Sequence, residues 1–163
     1  MISTSDSFLG TSMATPPQTA RVTWIGVRPA REVAMLEVDA AQVTAGVGLV
    51  GDRYKGGSGK RGVTLIQAEH LPVIAALAGH ATIAPAQLRR NVVVSGIALM
   101  ALKGRRFRIG AVELEGTDPC DPCLRMEDAL GPGGYDAMRG HGGLCARILR
   151  GGVLRIGDTV QAL

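Results

Sequence analysis

Residues 88–123 read "LRRNVVVSGIALMALKGRRFRIGAVELEGTDPCDPC", and the expected architecture follows from this stretch more than from any other. The segment "NVVVSG" (91–96) is a β-branched run that ends in turn residues, which predicts a strand. The segments "RRFRIG" and "AVELEG" alternate apolar and polar residues on either side of Gly110, which predicts a β-hairpin. Strands packed so densely along the chain indicate a mainly-β domain.

The flanking sequence continues this pattern in both directions. Short, β-branched segments predict further strands, while "AEHLPVIAALAG" and "CLRMEDALG" have helical spacing, and a glycine-rich stretch separates the two halves as a loop. About nine short strands with two or three short helices favour a β-barrel decorated with helices at its periphery. The predicted strands outside the central stretch are 21–27, 32–38, 63–67, 144–149 and 153–163, the helices are 68–79 and 123–131, and the loop is 46–62.

The chain length suits a single domain. It has 163 residues; residues 1–20 are rich in Ser, Thr, Ala and Pro and predict a flexible tail, and residues 21–163 form one domain. The first 20 residues have neither the basic start nor the continuous apolar core of a secretory signal, and no apolar run approaches the ~18 residues that span a membrane. We therefore expect a cytoplasmic protein with no membrane partner, whose three cysteines are thiols.

The charge balance favours small anionic partners. The net charge is +4 and the isoelectric point is near 9.3, a modest basic bias that suits phosphates. Aromatic residues make up only 3% of the chain, too few for the stacking surfaces of single-stranded nucleic-acid binders. We expect no nucleic-acid partner.

The glycine-rich segment "GDRYKGGSGKRG" (51–62) resembles a phosphate-binding loop only superficially. A Walker A loop needs a glycine six positions before its lysine and a hydroxyl residue directly after it. Here Tyr54 stands six positions before Lys60, and Arg61 stands directly after it. Charge alone still allows Arg53, Lys55, Lys60 and Arg61 to hold an anion. The alternative is a solvated loop without a ligand.

A second candidate group lies at the start of the central stretch. Arg89, Arg90 and Asn91 present many hydrogen-bond donors just before an apolar strand, and Ser95 ends that strand. Arginine suits planar, bidentate recognition of a phosphate or a heterocycle. The alternative is a pair of surface arginines beside a strand, whose stems cover apolar surface.

The cysteines allow three interpretations. A redox dithiol is disfavoured, because the surroundings look all-β and Asp118 and Asp121 would raise a thiol pKa. A zinc site is the second, since its four candidate ligands have the order CxxC…HxxxC. The third is one functional thiolate in a loop restricted by its prolines, suited to a soft metal or to attack on sulfur. The zinc candidates are Cys120, Cys123, His141 and Cys145.

Four segments together resemble the MOSC domain, named for the C-terminal part of molybdenum-cofactor sulfurases. They span about residues 46 to 163, and the chain is similar to the short, stand-alone bacterial members. The most specific segment is 88–123, with its Arg-Asn strand, its Gly-Arg-x-Phe hairpin and its Pro-Cys-x-Pro-Cys end. The other three are "GLVGDRYKGG", "GLCARIL" and "GGVLRIGDTVQAL".

The resemblance implies a β-barrel that binds molybdenum cofactor, a pterin with a phosphate. It gives the functional role, as catalytic thiol and molybdenum ligand, to Cys123, and makes Cys120 the bystander. Relatives use this cysteine to reduce N-hydroxylated compounds or to pass sulfur to the cofactor. The cofactor would also contact the basic loop and the strand start. These expected cofactor-binding residues are Arg53, Lys55, Arg89, Arg90, Asn91 and Ser95.

Three functional hypotheses follow. The first is a molybdenum-dependent oxidoreductase that reduces hydroxylamino purines or amidoxime-like compounds. The second is a sulfur carrier that works through a Cys123 persulfide, and the third is a non-enzymatic, zinc-stabilised binding module. The ferredoxin-like or pyridoxal-phosphate-binding domains of some family members are not expected here, so a separate protein would donate electrons or sulfur.

Overall fold

The computed structural model describes residues 20–54 and 58–163. In those residues the chain forms short strands joined by tight turns, with three short α-helices and two 3₁₀ helices at Pro85–Leu88 and Leu99–Leu102. The strands are β1 (Arg21–Val27), β2 (Leu36–Glu37), β3 (Ala40–Thr44), β4 (Gly48–Leu49), β5 (Val63–Gln67), β6 (Val92–Ser95), β7 (Arg106–Ile109), β8 (Val112–Pro119), β9 (Leu144–Arg150), β10 (Gly152–Arg155) and β11 (Val160–Ala162). The helices are α1 (His70–Leu77), α2 (Arg125–Leu130) and α3 (Gly134–Met138).

Eight strands form one mixed sheet in the order β11-β7-β8-β9-β5-β6-β1-β2. Strands β5 and β6 pair in parallel, and the other neighbours in this sheet pair antiparallel. The sheet is not closed into a barrel, although an isolated bridge between Arg21 and Thr159 joins β1 to the chain before β11. Strands β10, β3 and β4 form a second, three-stranded sheet.

The central strand β5 separates two apolar clusters. Successive side chains of a strand point to opposite faces, so Leu65 packs into one cluster and Ile66 into the other. The larger cluster is made by the strands and includes Phe107 and Leu114. The smaller cluster includes Ile74 and lies under the helices. Because it is covered on both faces, β5 is buried at every residue from Val63 to Ile66, including the polar Thr64.

The predicted mainly-β class is confirmed, and the expected barrel is replaced by an open sheet. Strand 21–27, strand 63–67 and the hairpin at Gly110 are where the sequence predicts them, and Gly110 has a φ of 56°. The strand predicted at 32–38 is reduced to two residues, and β4 lies inside the predicted loop. Strand β3 and helix α3 were not predicted. The tail predicted at 1–20 lies outside the described residues, except for Ala20.

None of the helices in the described ranges has the length and apolar character needed to cross a membrane.

A glycine fixes the approach of β9 to β5. Gly143 has a φ of +96°, and a Cβ there would meet the carbonyl oxygen of Leu65. We expect Gly143→Ala to lower the free energy of unfolding by about 3 kcal/mol, through backbone strain and overpacking together. Gly140→Ala is the matched control, because Gly140 also has a positive φ but has open space around it.

The control should lose only about 1 kcal/mol, from the backbone conformation alone. Urea unfolding of both variants measures the difference. Equal losses would show that close approach to Leu65 is not what requires a glycine at position 143.

Candidate functional site

Six arginines and one exposed cysteine converge on a cavity of about 330 Å³. A neighbouring cavity of about 220 Å³ shares three of these arginines. Some of these residues are candidates from the sequence, and the fold brings them together from distant parts of the chain. The first cavity is lined by Arg28, Arg53, Arg61, Arg89, Arg90, Asp121, Pro122, Cys123, Arg125 and Met126, and the second by Arg28, Arg53, Tyr54, Arg61 and Thr64.

Sheet topology explains part of this convergence. Strand β1 runs antiparallel to β6, and β5 runs parallel to β6, so the end of β1 lies beside the starts of β5 and β6. Arg28 follows β1, Arg61 comes just before β5, and Arg90 comes just before β6. Three cationic side chains therefore meet at one edge of the sheet.

Asp52 neutralises one of the six arginines. Its carboxylate accepts hydrogen bonds from Arg28 Nε at 3.1 Å and Arg28 Nη2 at 2.9 Å, and from the Arg28 backbone N–H at 2.7 Å. Burial would raise the pKa of Asp52, but the hydrogen bonds and positive charge of Arg28 outweigh it and hold the pKa below its usual value. Asp52 is thus a buried anion that fixes Arg28 in place.

Asn91 lies beneath the cavity rather than in its lining. Its side chain accepts hydrogen bonds from the N–H and hydroxyl of Thr64, at 3.2 and 3.0 Å, and donates to Gly26 O and to Asp52 Oδ1. The residue is fully buried, so this internal network uses its hydrogen-bonding capacity. Ser95 lies at the other end of β6. Lys55 lies outside the described residues.

Arg90 holds the cysteine loop against the sheet. Its guanidinium donates to the carbonyl oxygens of Gly142 at 2.8 Å, Leu88 at 3.0 Å and Cys120 at 3.0 Å. The Cys120 N–H donates in turn to Gly143 O at 2.8 Å. Of the predicted cofactor-binding residues, Arg53, Arg89 and Arg90 line the cavity with Cys123.

Positive charge is concentrated around Arg89. Burial and the charges of Arg28, Arg125 and Arg53 lower the pKa of Arg89, and Asp52 offsets this only in part. Within residues 20–54 and 58–163, only Arg28 among the six arginines has a carboxylate within salt-bridge distance. An anionic ligand would relieve this repulsion, so the charge of the cavity is suited to holding an anion.

The three cysteines fall into two environments. Cys123 is exposed in the cavity, whereas Cys120 and Cys145 are buried side by side. Hydrogen bonding to Cys145 lowers the pKa of Cys120, burial opposes this, and the charges of Arg90, Arg61 and Arg28 assist, giving a pKa of about 6. The same contact raises the pKa of Cys145. Arg61 Nη2 lies 3.9 Å from Cys120 Sγ.

This result differs from the expectation that Asp118 and Asp121 would raise a thiol pKa. The pKa of Cys120 is lowered, because the fold places the Cys145 thiol and guanidinium groups beside its sulfur. Cys120 is therefore not an inert neighbour of Cys123. It is the more acidic thiol of the buried pair, because the contact with Cys145 and the nearby guanidinium groups lower its pKa.

The four candidate zinc ligands do not form a metal site. Within the described part of the chain, no group of three or more His, Cys, Asp or Glu residues could hold a metal ion. The ring of His141 packs edge-on against His70, with centroids 5.3 Å apart, and its Nδ1 lies 3.2 Å from Ala137 O. Cys123 points to solvent while Cys120 and Cys145 are buried, so the prediction of a Cys₃His zinc site is wrong.

Sequence reasoning missed three residues of the site. Arg28 and Arg125 were not singled out, because a lone arginine after a strand or at a helix start gives no local signal. Asp52 was missed as well, although it stands directly before Arg53 in the basic loop. An acidic residue inside a basic loop is the signal that would have suggested a buried ion pair.

Comparison with known proteins agrees with this fold. The family model of the MOSC domain matches residues 51–161. The crystal structure of YuaD from Bacillus subtilis has 21% identity and a TM-score of 0.77, covering 88% of this chain and 94% of that one.

YiiM from Escherichia coli has 18% identity and a TM-score of 0.67, covering 88% of this chain and 69% of its own. YiiM from Geobacillus stearothermophilus has 18% identity and a TM-score of 0.70, covering 88% and 75%. At these identities the likeness shows the fold alone. A search with the sequence finds no significantly similar curated protein.

The Asp52–Arg28 pair generates a stability prediction. Asp52→Asn should lower the free energy of unfolding by about 3 kcal/mol at neutral pH, because it leaves a partly buried guanidinium without its counter-ion. The folded-state pKa of Asp52 is depressed, so its contribution is fully present above the unfolded value of about 3.9 and is lost as pH falls through the folded value.

The stabilities of wild type and variant, measured by denaturant unfolding, should therefore begin to converge below about pH 4 and coincide once the pH is below the depressed folded-state pKa of Asp52. Glu113→Gln is the control, because Glu113 pairs with the exposed Arg106 and should cost less than about 1 kcal/mol. A difference between wild type and Asp52→Asn that is constant with pH would show that the carboxylate charge is not what stabilises the fold.

The buried thiols generate a second prediction. Ultraviolet thiolate absorbance should show one cysteine losing its proton near pH 6 in the wild type and in Cys123→Ser. Cys120→Ser should abolish that step, since the thiolate would be gone. Persistence of the step in Cys120→Ser would assign the low pKa to another cysteine.

Proposed function

The chain belongs to the MOSC domain family, and from this premise we propose that it binds molybdenum cofactor and reduces N-hydroxylated compounds such as hydroxylamino purines. The observation that carries the proposal is the exposed sulfur of Cys123 in a cavity lined by six guanidinium groups. The pairing of a soft ligand with a strongly cationic surface suits a metal cofactor that also bears a phosphate.

The residues of the cavity fit this cofactor. No side chain in the described part of the chain is hydrogen-bonded to Cys123, so its thiolate is available to molybdenum. Arg53 and Arg125 would hold the phosphate, because their guanidinium groups make no hydrogen bond to other described side chains or carbonyls. Pro122 and Met126 supply apolar surface against which a pterin ring would pack.

The chain's own contribution is to bind and orient. Arg90 fixes the loop that carries Cys123, and Arg89 keeps its place by donating to Val33 O at 2.8 Å and Ala30 O at 3.4 Å. The bound cofactor supplies two-electron redox chemistry, which converts an N–OH group and two protons into N–H and water. A separate electron-donor protein completes the proposal.

Sulfur carriage through a Cys123 persulfide is the second candidate. The observation that favours it is the same exposed and unengaged sulfur, which is accessible to a sulfur-donor protein. A metal and a persulfide cannot share this sulfur at one time. The two functions would therefore belong to different states of the protein.

Molybdenum retention tests the first candidate. Protein produced in a host that makes molybdenum cofactor should carry near-stoichiometric molybdenum by elemental mass spectrometry. Cys123→Ser should lose the metal and the reduction of 6-hydroxylaminopurine, because the thiolate ligand is gone. Cys120→Ser should keep most of both, because this buried sulfur does not line the cavity.

Arg125→Gln should lower molybdenum occupancy, while Arg150→Gln, an exposed residue outside the cavity, should leave it unchanged. Equal molybdenum loss in Cys120→Ser and Cys123→Ser would overturn the assignment of the ligand to Cys123. Wild-type protein without molybdenum would overturn the proposal as a whole.

A further inference from the structure

The lining of the cavity around Cys123 is rich in arginine and has few groups that could transfer a proton. Among the described residues that line it there is no histidine, and Asp121 is its only carboxylate. General acid–base chemistry therefore has little support. Stabilisation of negative charge is instead provided from several directions, by Arg53, Arg89 and Arg125 among others.

We propose that Cys123 takes sulfur directly from a small sulfane-sulfur dianion of the thiosulfate class, without cofactor and without a donor protein. This activity rests on the second candidate function, a persulfide at Cys123, and extends it by naming the chemical class of the donor; it does not depend on cofactor-dependent reduction. It requires an accessible thiolate, a cationic surface that holds a doubly charged oxyanion, and a leaving group that needs no protonation. The first two are features of the cavity, and the third is a property of sulfite.

The charge of the site matches such a ligand. Asp52 neutralises Arg28, but no carboxylate in the described ranges lies within salt-bridge distance of the other five cavity arginines. The oxygens of a thiosulfate SO₃ group can accept hydrogen bonds from two guanidinium forks. Because the terminal sulfur is the softer end of the ion, it would point away from those forks and toward Cys123.

The transfer step balances without an external oxidant or reductant. The thiol proton first leaves to solvent, and Cys123 Sγ then attacks the terminal sulfur of thiosulfate. A new Sγ–S bond forms as the S–S bond of thiosulfate breaks, and its electron pair leaves on sulfite. One sulfur atom moves, and a thiolate plus a dianion become a persulfide anion plus a dianion.

The second cavity accommodates the product. It lies next to the first, shares Arg28, Arg53 and Arg61 with it, and is not lined by Cys123. Sulfite released from the attacked ion would pass to these shared arginines, away from the new persulfide. The adjoining cavity thus gives the leaving group a cationic path that does not cross the nucleophile.

The test uses full-length protein produced without molybdenum and incubated with thiosulfate. Intact-mass and peptide mass spectrometry should show a gain of one sulfur on Cys123, reversed by dithiothreitol, with one sulfite released per modified protein. Cys123→Ser should show no gain. Cys120→Ser and Cys145→Ser should be modified like wild type, because their sulfurs are buried.

Charge recognition is tested in the same assay. Arg125→Gln should slow transfer from thiosulfate about tenfold, the loss expected for one charge-assisted hydrogen bond, whereas Arg125→Lys should recover part of the rate. A neutral organic trisulfide should react equally with wild type and Arg125→Gln. Arg150→Gln, outside the cavity, should match wild type with both donors.

No sulfur gain with thiosulfate, or a gain on Cys120 in place of Cys123, would overturn the inference. So would a thiosulfate rate that is unchanged in Arg125→Gln. Failure here is distinct from failure of cofactor binding, because this assay uses metal-free protein and the other one measures retained molybdenum. It is also distinct from failure of sulfur carriage, because a Cys123 that reacts with the neutral trisulfide but not with thiosulfate would reject only the dianionic donor.

Discussion

The buried guanidinium of Arg90 is the interaction on which the arrangement of the site depends. Only 7% of Arg90 is exposed, and burying an unpaired charge is costly. Its donors reach the carbonyls of Leu88, Cys120 and Gly142, which belong to three separate segments. These charge-assisted bonds offset the desolvation and bind the cysteine loop to the start of β6. Two backbone hydrogen bonds add to this support, from Cys120 N–H to Gly143 O and from Met126 N–H to Cys123 O.

A second network limits how much of the positive charge is neutralised internally. Asp52 pairs with Arg28 and accepts from Asn91 Nδ2, and Asn91 continues the network to Thr64. In the described residues no buried side-chain nitrogen or oxygen lacks a partner, so this network is complete without a ligand. At the site, the unneutralised charge is therefore left on the arginines that face the cavity. A fold can keep such repulsion because Asp52 and the solvent reduce it, and a bound anion reduces it further.

The parts of this fold that the sequence predicts are those governed by local pattern. The hairpin around Gly110 and the strand 63–67 have strong alternation or a continuous apolar run. Strand β3 has the weak pattern "AAQVT" and exists because it pairs with β10, more than a hundred residues away. The sequence gives equally little information about Asn91. A polar residue before a strand has the same sequence pattern whether its side chain faces a ligand or joins an internal hydrogen-bond network. The contacts of Asn91 with Thr64, Gly26 and Asp52 in the folded chain distinguish the two cases.

The two cysteines of the Pro-Cys-x-Pro-Cys segment illustrate how tertiary contacts override neighbours in sequence. The nearby aspartates predict a raised thiol pKa, yet the hydrogen bond with Cys145, together with the charges of Arg90 and Arg61, lowers the pKa of Cys120 against the effect of burial. A thiolate there is a buried anion that compensates part of the positive charge behind the cavity, much as Asp52 compensates Arg28. Cys123 has no such partner in the described chain and is exposed. One sulfur thus serves the electrostatics of the site, which leaves the other available for chemistry. The difference between Cys120 and Cys123 arises from burial and from contacts with the arginines. The spacing of the two cysteines in the sequence therefore identifies them as a pair but does not show which one is exposed for chemistry.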